Sequence, residues 1–353
     1  MGAALATILA AAALGGGPAA PAPELGDAQL VGQRIVSGFE GTSPPAALRR
    51  RIRSGRLAGV ILFADNFDSR AGAERLAREL QSIPRPRGLR APLLVMVDQE
   101  GGLVKRLPGP PSLSAAEMGR AGPATCRRQG AATARLLRVT AINVDLAPVL
   151  DVAAPGSAIG REGRSFGSDP RAVAACGGAF AAALERNGVA PTAKHFPGIG
   201  RAAVNTDDAL QRIAASRAQL RGVDETPFRE FVDGGAPGRL VMISSAVYPA
   251  FADRPAAFTR SLATDELRGR LGFEGVSITD ALGTASTAPY GGPGPVAREA
   301  AEAGTDLLLF TELTQARAAA PELRRLLHRG QAARRRFESS VGRVLTLRGD
   351  YAR

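Results

Sequence analysis

Residues 188–198, which read GVAPTAKHFPG, decide the fold more clearly than any other stretch of the chain. The first part is an apolar run. Short apolar runs that do not alternate with polar residues are typical of strands buried on both faces of a parallel sheet. Lys194 and His195 end the run, and a polar loop follows as far as Asp208. We therefore predict a buried strand that carries a lysine and a histidine at its carboxyl end, where both could contact a ligand.

Lysine and histidine are rare in this chain, which makes their adjacency informative. The sequence contains two lysines and two histidines, namely Lys105, Lys194, His195 and His328, whereas arginine is abundant. The alternative interpretation is that Lys194 and His195 merely end a strand at the surface. Two rare residues side by side favour a ligand site.

Similar apolar runs recur along the whole chain, with helix-like stretches between them. Eight such runs cover residues 34–39, 59–63, 93–97, 142–149, 188–195, 239–244, 275–279 and 306–310. Helical spacing of apolar residues occurs between them, for example in residues 71–81, 170–186, 264–271 and 295–303. Eight strand and helix repeats predict an α/β fold, a (β/α)8 TIM-type barrel formed as a single domain by residues 24–353. An open, doubly wound sheet is the alternative, although no glycine-rich phosphate motif follows the first strand.

The chain is strongly basic, with a formal net charge of +12 that comes from arginines spread along the sequence. Aromatic residues make up 5% and tryptophan is absent, so stacking on nucleic acid bases has little support. We expect no nucleic-acid partner, and coding bias explains the excess of arginine more simply. A polyanionic neighbour such as a cell envelope is also compatible with the charge.

Residues 1–23 are typical of a secretory signal peptide followed by a linker rich in proline and alanine. The apolar part, residues 1–14, is too short to cross a bilayer, so we expect no stable membrane span. We predict a secreted or envelope-associated protein. No basic residue precedes Arg34, however, and a misassigned start codon would leave the protein cytoplasmic. Cys126 and Cys176 lack the spacing of metal ligands, and we interpret them as two buried thiols.

Charged residues follow several of the predicted strands. Asp98 follows the third strand, Asp151 the fourth and Asp280 the seventh, in addition to Lys194 and His195 at the fifth. The carboxyl ends of the strands of a barrel face one another across one mouth. These residues, although far apart in sequence, are therefore predicted to be neighbours.

Two of these positions indicate specific chemistry. Asp280 follows an apolar strand, so it could be a nucleophile, a general base or a metal ligand, or could simply cap the next helix. Asp98 and Arg106 flank a turn with Gly101 and Gly102, and could bind sugar hydroxyls unless they form an ordinary surface ion pair. One histidine near the mouth and no paired cysteines predict no metal site. A carboxylate among hydroxyl-binding groups indicates a carbohydrate substrate.

Five motifs occur together in the order and with the spacing of a known family. They are DQEGG at 98–102 with Arg106, NVDLAPVLDV at 143–152, GRSFG at 163–167, KHFPG at 194–198 and ITDAL at 278–282. From about residue 32 to residue 310 the chain resembles glycoside hydrolase family 3, and more narrowly the single-domain bacterial β-N-acetylhexosaminidases. The resemblance implies a (β/α)8 barrel, a retaining mechanism through a covalent glycosyl-enzyme, and no metal or organic cofactor.

Carried over position by position, the resemblance assigns Asp280 as the nucleophile. It assigns binding of the sugar that precedes the cleaved bond to Asp98, Arg106, Arg164, Lys194 and His195. The implied substrates are β-linked N-acetylhexosaminides of the GlcNAc type. This preference depends on the resemblance alone, so a β-glucosidase or β-xylosidase preference stays open.

The loop after KHFPG departs from the family pattern. Relatives of the hexosaminidase branch carry an Asp-Ser-His type triplet there, whose histidine is the general acid/base. In this chain Asn205 takes the place of the aspartate and Asp207 that of the histidine, and Ile199 and Arg201 replace a further histidine and aspartate. The usual acid/base pair is therefore absent.

Three explanations of this departure compete. Asp207 could act as a carboxylic general acid if burial or a neighbouring charge such as Asp208 raises its pKa. Glu162 could instead move into the site, or the barrel could bind sugars with little turnover. His328 is not a candidate, because it is predicted on the arginine-rich helix after the last strand. We adopt Asp207 as the catalytic acid/base.

Overall fold

The computed structural model describes residues 25–235 and 238–352. Eight parallel strands, β1 to β8, form one sheet in the order β8-β1-β2-β3-β4-β5-β6-β7. A bridge between Ile278 and Leu307 joins β7 to β8, so that the sheet closes into a barrel. The strands are Ile35–Ser37, Gly59–Ile61, Leu94–Val97, Val144–Asp145, Ala190–Phe196, Leu240–Ile243, Val276–Thr279 and Leu308–Phe310. The predicted barrel is confirmed. The predicted N-terminal signal and linker lie outside the described residues.

Helices follow the strands and surround the barrel. They are Asp27–Gly32, Ala46–Arg53, Arg70–Ser82, Ala115–Ala121, Pro123–Val139, Ala158–Arg161, Pro170–Arg186, Arg217–Gln219, Thr226–Asp233, Pro293–Ala303, Leu313–Leu327 and Gln331–Asp350, with wider π-helical turns at Leu220–Asp224 and Ser261–Arg270. Between the third strand and its following helix, Gln99–Gly101 and Val104–Lys105 form a short antiparallel hairpin. The predicted helices are present, and the stretch predicted at 264–271 is the π-helical one.

The burial of β3 explains why the strands read as continuous apolar runs. All four residues of this strand are buried. Leu94 and Met96 belong to the cluster formed by alternate residues of the other strands, whereas Val95 and Val97 belong to the cluster shared with the surrounding helices. Because successive side chains of a strand point to opposite faces, both faces need apolar residues.

The two cysteines form a disulfide, so the interpretation as two buried thiols is wrong. Cys126 lies in the helix Pro123–Val139 and Cys176 in the helix Pro170–Arg186, with their Cα atoms 5.4 Å apart. This separation lies within the range that a disulfide spans without backbone movement. The two helices follow neighbouring strands and pack side by side, which brings together residues separated by 50 positions in sequence.

Replacing both cysteines, as C126A together with C176A, should destabilise the fold by about 4 kcal/mol, because the loop that the disulfide closes in the unfolded chain is long. Thermal unfolding with and without a reducing agent measures the effect. The reducing agent should lower the melting temperature of the parent and leave that of the double variant unchanged. Equal melting temperatures of the oxidised and reduced parent would contradict the prediction.

Candidate active site

A cavity of about 310 Å³ opens at the carboxyl ends of the strands. Parallel strands place these ends at one mouth, so loops from distant parts of the chain meet there. The lining includes all seven residues that the sequence predicted for the site, namely Asp98, Arg106, Arg164, Lys194, His195, Asp207 and Asp280. The structure thus brings the predicted residues together, while their individual roles stay predictions.

Lys194 lies at the centre of a buried network of charges. Its Nζ atom is 2.7 Å from Asp98 Oδ1 and 2.6 Å from Glu100 Oε1. Arg164 donates to both carboxylate oxygens of Glu100, at 2.9 Å from Nε and 3.0 Å from the terminal nitrogen. Two parallel hydrogen bonds between a guanidinium and a carboxylate fix the relative orientation of these two planar groups. The network fixes the direction from which Lys194 and Arg164 face the cavity.

The charges of this network determine its protonation state. Burial by itself would raise the pKa of Glu100, but Lys194 and Arg164 outweigh that effect and lower the pKa to about 2. Burial opposes the charge of Lys194, and the carboxylates of Asp98 and Glu100 nevertheless raise its pKa above the ordinary value. Sequence reasoning assigned no role to Glu100, although it stands inside the DQEGG motif. Its position two residues after Asp98, close to the end of the third strand, could have indicated that it lies at the mouth of the barrel.

Removing Glu100 should be strongly destabilising, because E100A leaves the buried cations Lys194 and Arg164 without their shared anion. Loss of one partner of a buried ion pair costs about 3 to 5 kcal/mol. Denaturant unfolding measures the change. As a control, E274A removes an exposed glutamate and should change stability by no more than about 0.5 kcal/mol. Equal denaturant concentrations at the unfolding midpoint for E100A and the parent would contradict this predicted role of Glu100.

The hairpin after the third strand positions Arg106. Positive φ angles of 98° at Gly101 and 61° at Gly102 allow the tight turn, which other residues adopt only with strain. The side-chain oxygen of Gln99 accepts a hydrogen bond from the backbone N–H of Arg106 at 3.1 Å. Arg106 then lies 3.5 Å from Asp98 and over the ring of Phe63. The ion pair expected as an alternative does form, but it lies inside the cavity.

His195 is oriented by a buried carboxylate. Asp151 is fully buried, and its Oδ2 atom is 2.8 Å from His195 Nδ1. The other oxygen, Oδ1, accepts hydrogen bonds from the backbone N–H groups of His195 and Ile199. With Nδ1 facing Asp151, the Nε2 atom of the ring is free to face the cavity. The sequence located Asp151 at a strand end but did not identify it as the partner of His195.

Asp280 and Asp207 approach the cavity from two different loops. Asp280 follows β7 directly, and its backbone N–H donates to Ile243 O at 3.0 Å. Its Oδ1 atom accepts a hydrogen bond from the N–H of Ala281 at 2.8 Å. Asp207 lies on the loop that departs from the family pattern, and its carbonyl accepts a hydrogen bond from Ala285 N at 3.3 Å. That bond links the Asp207 loop to the chain just after Asp280.

The environment of Asp207 favours a bound proton. Partial burial in the cavity and the charge of Asp280 raise the pKa of Asp207 to about 6, although His195 and Arg164 act in the opposite direction. Asp207 is nevertheless exposed to solvent as a residue, so its burial is confined to the part that lines the cavity. The sequence proposed Asp208 as the neighbouring charge; the carboxylates that raise this pKa are instead Asp280 and, more weakly, Asp98.

The other candidate acids lie elsewhere. Glu162 contacts Arg164 at 3.2 Å and is not among the residues that line the cavity. His328 ends the helix Leu313–Leu327 on the outside of the barrel and lies 2.9 Å from Asp27. Arg201, which replaces an aspartate of the family pattern, pairs with Asp224 at 3.1 Å. Among the alternatives weighed from the sequence, Asp207 is the one that reaches the cavity.

A closed α/β barrel with three aspartates in the cavity at its mouth, among arginine, lysine and histidine side chains, indicates a glycoside hydrolase as the class of the protein. The model of the glycosyl hydrolase family 3 N terminal domain matches residues 28–347. The chain belongs to glycosyl hydrolase family 3.

Relatives in sequence agree with this membership. An uncharacterized secreted glycosyl hydrolase of Arthroderma benhamiae is 38% identical over 339 residues, which cover 93% of this chain and 95% of the relative. A β-hexosaminidase of Alkalilimnicola ehrlichii is 34% identical over 287 residues, which cover 78% of this chain and 80% of the relative. The resemblance found in the five motifs is confirmed.

Solved structures show the same fold. A family 3 β-N-acetylglucosaminidase from Paenibacillus sp. superposes with a TM-score of 0.87 at 33% identity, covering 93% of this chain and 63% of that one. The β-N-acetylhexosaminidase from Beutenbergia cavernae superposes with a TM-score of 0.83 at 30% identity, covering 92% of this chain and 99% of that one. The present chain thus spans nearly the whole of the second protein and less than two thirds of the first.

Proposed function

We propose that this protein is a retaining β-N-acetylhexosaminidase that cleaves β-linked GlcNAc-type glycosides through a covalent intermediate on Asp280. The observation that carries the proposal is that Asp280 and Asp207 line the same cavity, where burial and the charge of Asp280 raise the pKa of Asp207 to about 6. Acid-assisted glycoside cleavage by a retaining enzyme requires one carboxyl group that gives a proton and a second that acts as nucleophile. The β-hexosaminidase relatives support the substrate class.

The proposed reaction has two steps. In the first, a carboxylate oxygen of Asp280 bonds to the anomeric carbon while the bond to the leaving-group oxygen breaks, and protonated Asp207 gives its proton to that oxygen. In the second, Asp207 takes a proton from water, the water oxygen bonds to the anomeric carbon, and the bond to Asp280 breaks. Asp207 therefore ends the cycle protonated, and the sugar keeps its configuration.

The charged network supplies the proposed sugar contacts. Lys194 has three N–H donors, of which two face Asp98 and Glu100, so one can point to a hydroxyl. Asp98 can accept from sugar hydroxyls with its remaining lone pairs, Arg106 and Arg164 can donate, and the Nε2 atom of the neutral His195 ring, whose Nδ1–H faces Asp151, can accept. Because these groups already hold each other in place, little side-chain freedom would be lost on binding.

We also propose that the protein acts outside the cytoplasm, at the cell envelope or in the medium. A relative described as a secreted glycosyl hydrolase supports this location. The disulfide between Cys126 and Cys176 supports it too, since disulfides persist in oxidising compartments. Within residues 25–235 and 238–352, no helix has the length and apolar character to cross a membrane.

The substrate class is tested with aryl β-glycosides that share one leaving group and differ at the sugar. We expect kcat/KM for the N-acetylglucosaminide to exceed that for the glucoside and the xyloside by about 10²-fold or more, a difference of about 3 kcal/mol. Equal or higher values for the glucoside or the xyloside would reassign the specificity.

A fluorinated mechanism-based glycoside tests the covalent step independently of the choice of natural substrate. We expect a sugar adduct on the peptide that contains Asp280. Absence of both the adduct and turnover, with sugar binding retained, would replace the enzyme proposal by that of a sugar-binding barrel.

A further inference from the structure

A second concave surface lies on the outer wall of the barrel, between the helices Ala46–Arg53 and Leu313–Leu327. Two adjoining cavities of about 480 and 630 Å³ occur there, and Arg51, Arg56 and Arg317 line both. No residue of either lining is shared with the catalytic cavity. The surface is therefore separate from the site of sugar cleavage.

Its charge is of one sign. The lining contains no aspartate or glutamate among the described residues. We define the arginine groove by six guanidinium groups that contact no carboxylate of the described chain within 4 Å, those of Arg50, Arg51, Arg53, Arg56, Arg317 and Arg324.

Two carboxylates close to the groove are already engaged. Glu322 pairs with Arg325, and Asp27 lies 2.9 Å from His328 and 3.0 Å from Arg334. Neither carboxylate lines the cavities, and the lining cations that they pair with, Arg325 and His328, are not among the six arginines of the groove. The six arginines of the groove therefore have no carboxylate ion-pair partner among the described residues, and Asp27 acts on Arg324 only at longer range.

Arg51 is energetically unfavourable in the groove without a bound anion. Its side chain is partly buried, and within the described chain its buried Nε atom has no hydrogen-bond partner. Burial and the charges of Arg317 and Arg56 lower the pKa of Arg51 to about 10. A buried donor without an acceptor is unfavourable, and an anion would supply both an acceptor and the opposite charge.

We propose that the arginine groove binds a linear polyanion that carries phosphate groups and no nucleobases. Guanidinium groups bind phosphate through two parallel hydrogen bonds, and several of them along one groove match several phosphates of one chain. The described residues of the lining include no Phe, Tyr or Trp side chain on which a base could stack, and the one imidazole there, that of His328, is held by Asp27. The groove is concave and lies between two helices, so an extended polymer fits it better than the surface of a bilayer.

Long-chain inorganic polyphosphate is the probe that tests the proposal. The triple variant R51Q, R56Q, R317Q removes the arginines shared by the two cavities. The control R127Q, R171Q, R186Q removes three exposed arginines from the helices Pro123–Val139 and Pro170–Arg186 on the other side of the barrel. Both triple variants lose the same charge. Titration by calorimetry at several salt concentrations measures binding without any turnover.

We expect the groove variant to bind polyphosphate about 10-fold or more weakly than the parent at 0.1 M salt. The slope of log Kd against log salt should fall by about 2, because fewer counterions are released. The control should keep most of the affinity. Equal losses in the two triple variants would mean that only the net charge of +12 attracts the polymer, and would overturn the proposal.

Two further arms separate other sources of negative charge. Single-stranded DNA and vesicles containing phosphatidylglycerol should each bind the parent more weakly than polyphosphate does, with little dependence on the groove. Groove-dependent binding of DNA or vesicles without binding of polyphosphate would overturn the proposal. Should the triple variant have an altered melting temperature, the double variant R317Q, R324Q of more exposed arginines gives the same comparison.

Discussion

Replacement of Asp280 by asparagine should lower kcat/KM for an aryl β-N-acetylglucosaminide by about 10⁴-fold or more, since removal of a nucleophile is among the most costly changes to an enzyme. Asparagine has nearly the shape of aspartate but cannot form the glycosyl ester. The hydrogen bond from the backbone N–H of residue 280 to the carbonyl oxygen of Ile243 remains in the variant. The loss should therefore fall on kcat and not on folding.

Two measurements isolate this effect. The fluorinated glycoside should label the parent and leave D280N unlabelled, and the variant should keep the melting temperature of the parent to within a few degrees. The control D233N neutralises an exposed aspartate at the end of the helix Thr226–Asp233 and should keep full activity. Turnover by D280N above about 1% of the parent rate would show that another residue is the nucleophile.

Replacement of Asp207 by asparagine should have the second largest effect, and its size should depend on the leaving group. Loss of a general acid typically costs about 10² to 10⁴ in rate. A poor leaving group needs the proton from Asp207 and should show the full loss. A very good leaving group departs without that proton, so its glycosylation step should be nearly unchanged. Values of kcat/KM for the two aryl glycosides, which report the glycosylation step, measure the difference. Azide, which needs no general base, should raise the rate at which the D207N glycosyl-enzyme is broken down.

The pH profile gives an independent readout of Asp207. Burial and Asp280 raise its pKa to about 6. The residue must be protonated to donate, so kcat/KM should fall as the pH rises through about 6, by about 10-fold per unit beyond it. This limb should be absent in D207N. The neighbouring variant D208N is the matched control, because Asp208 does not line the cavity. A limb kept in D207N, or equal losses in D208N, would exclude Asp207 as the acid.

The family motifs and the strand ends identified the cavity residues well, because both are local properties of the chain. The run at 188–198 predicted a buried strand, and Ala190–Phe196 is that strand with all seven residues buried. Each strand end could then be assigned to the mouth from the parallel arrangement alone. The residues that these side chains contact could not be predicted from the sequence. Glu100 and Asp151 follow the two preceding strands of the sheet and contact Lys194 and His195, and no pattern in the sequence predicts such pairs.

The sequence by itself determined the eight-stranded barrel, the residues at its mouth and the family. Apolar runs and motifs consist of residues close together in the chain, so they can be recognised without the structure. The tertiary structure alone decided three further properties. It paired Cys126 with Cys176, it made Asp280 rather than Asp208 the carboxylate whose charge raises the pKa of Asp207, and it brought the helices Ala46–Arg53 and Leu313–Leu327 together to form the arginine groove. Each depends on distances between residues far apart in the chain, and those distances exist only once the barrel has closed.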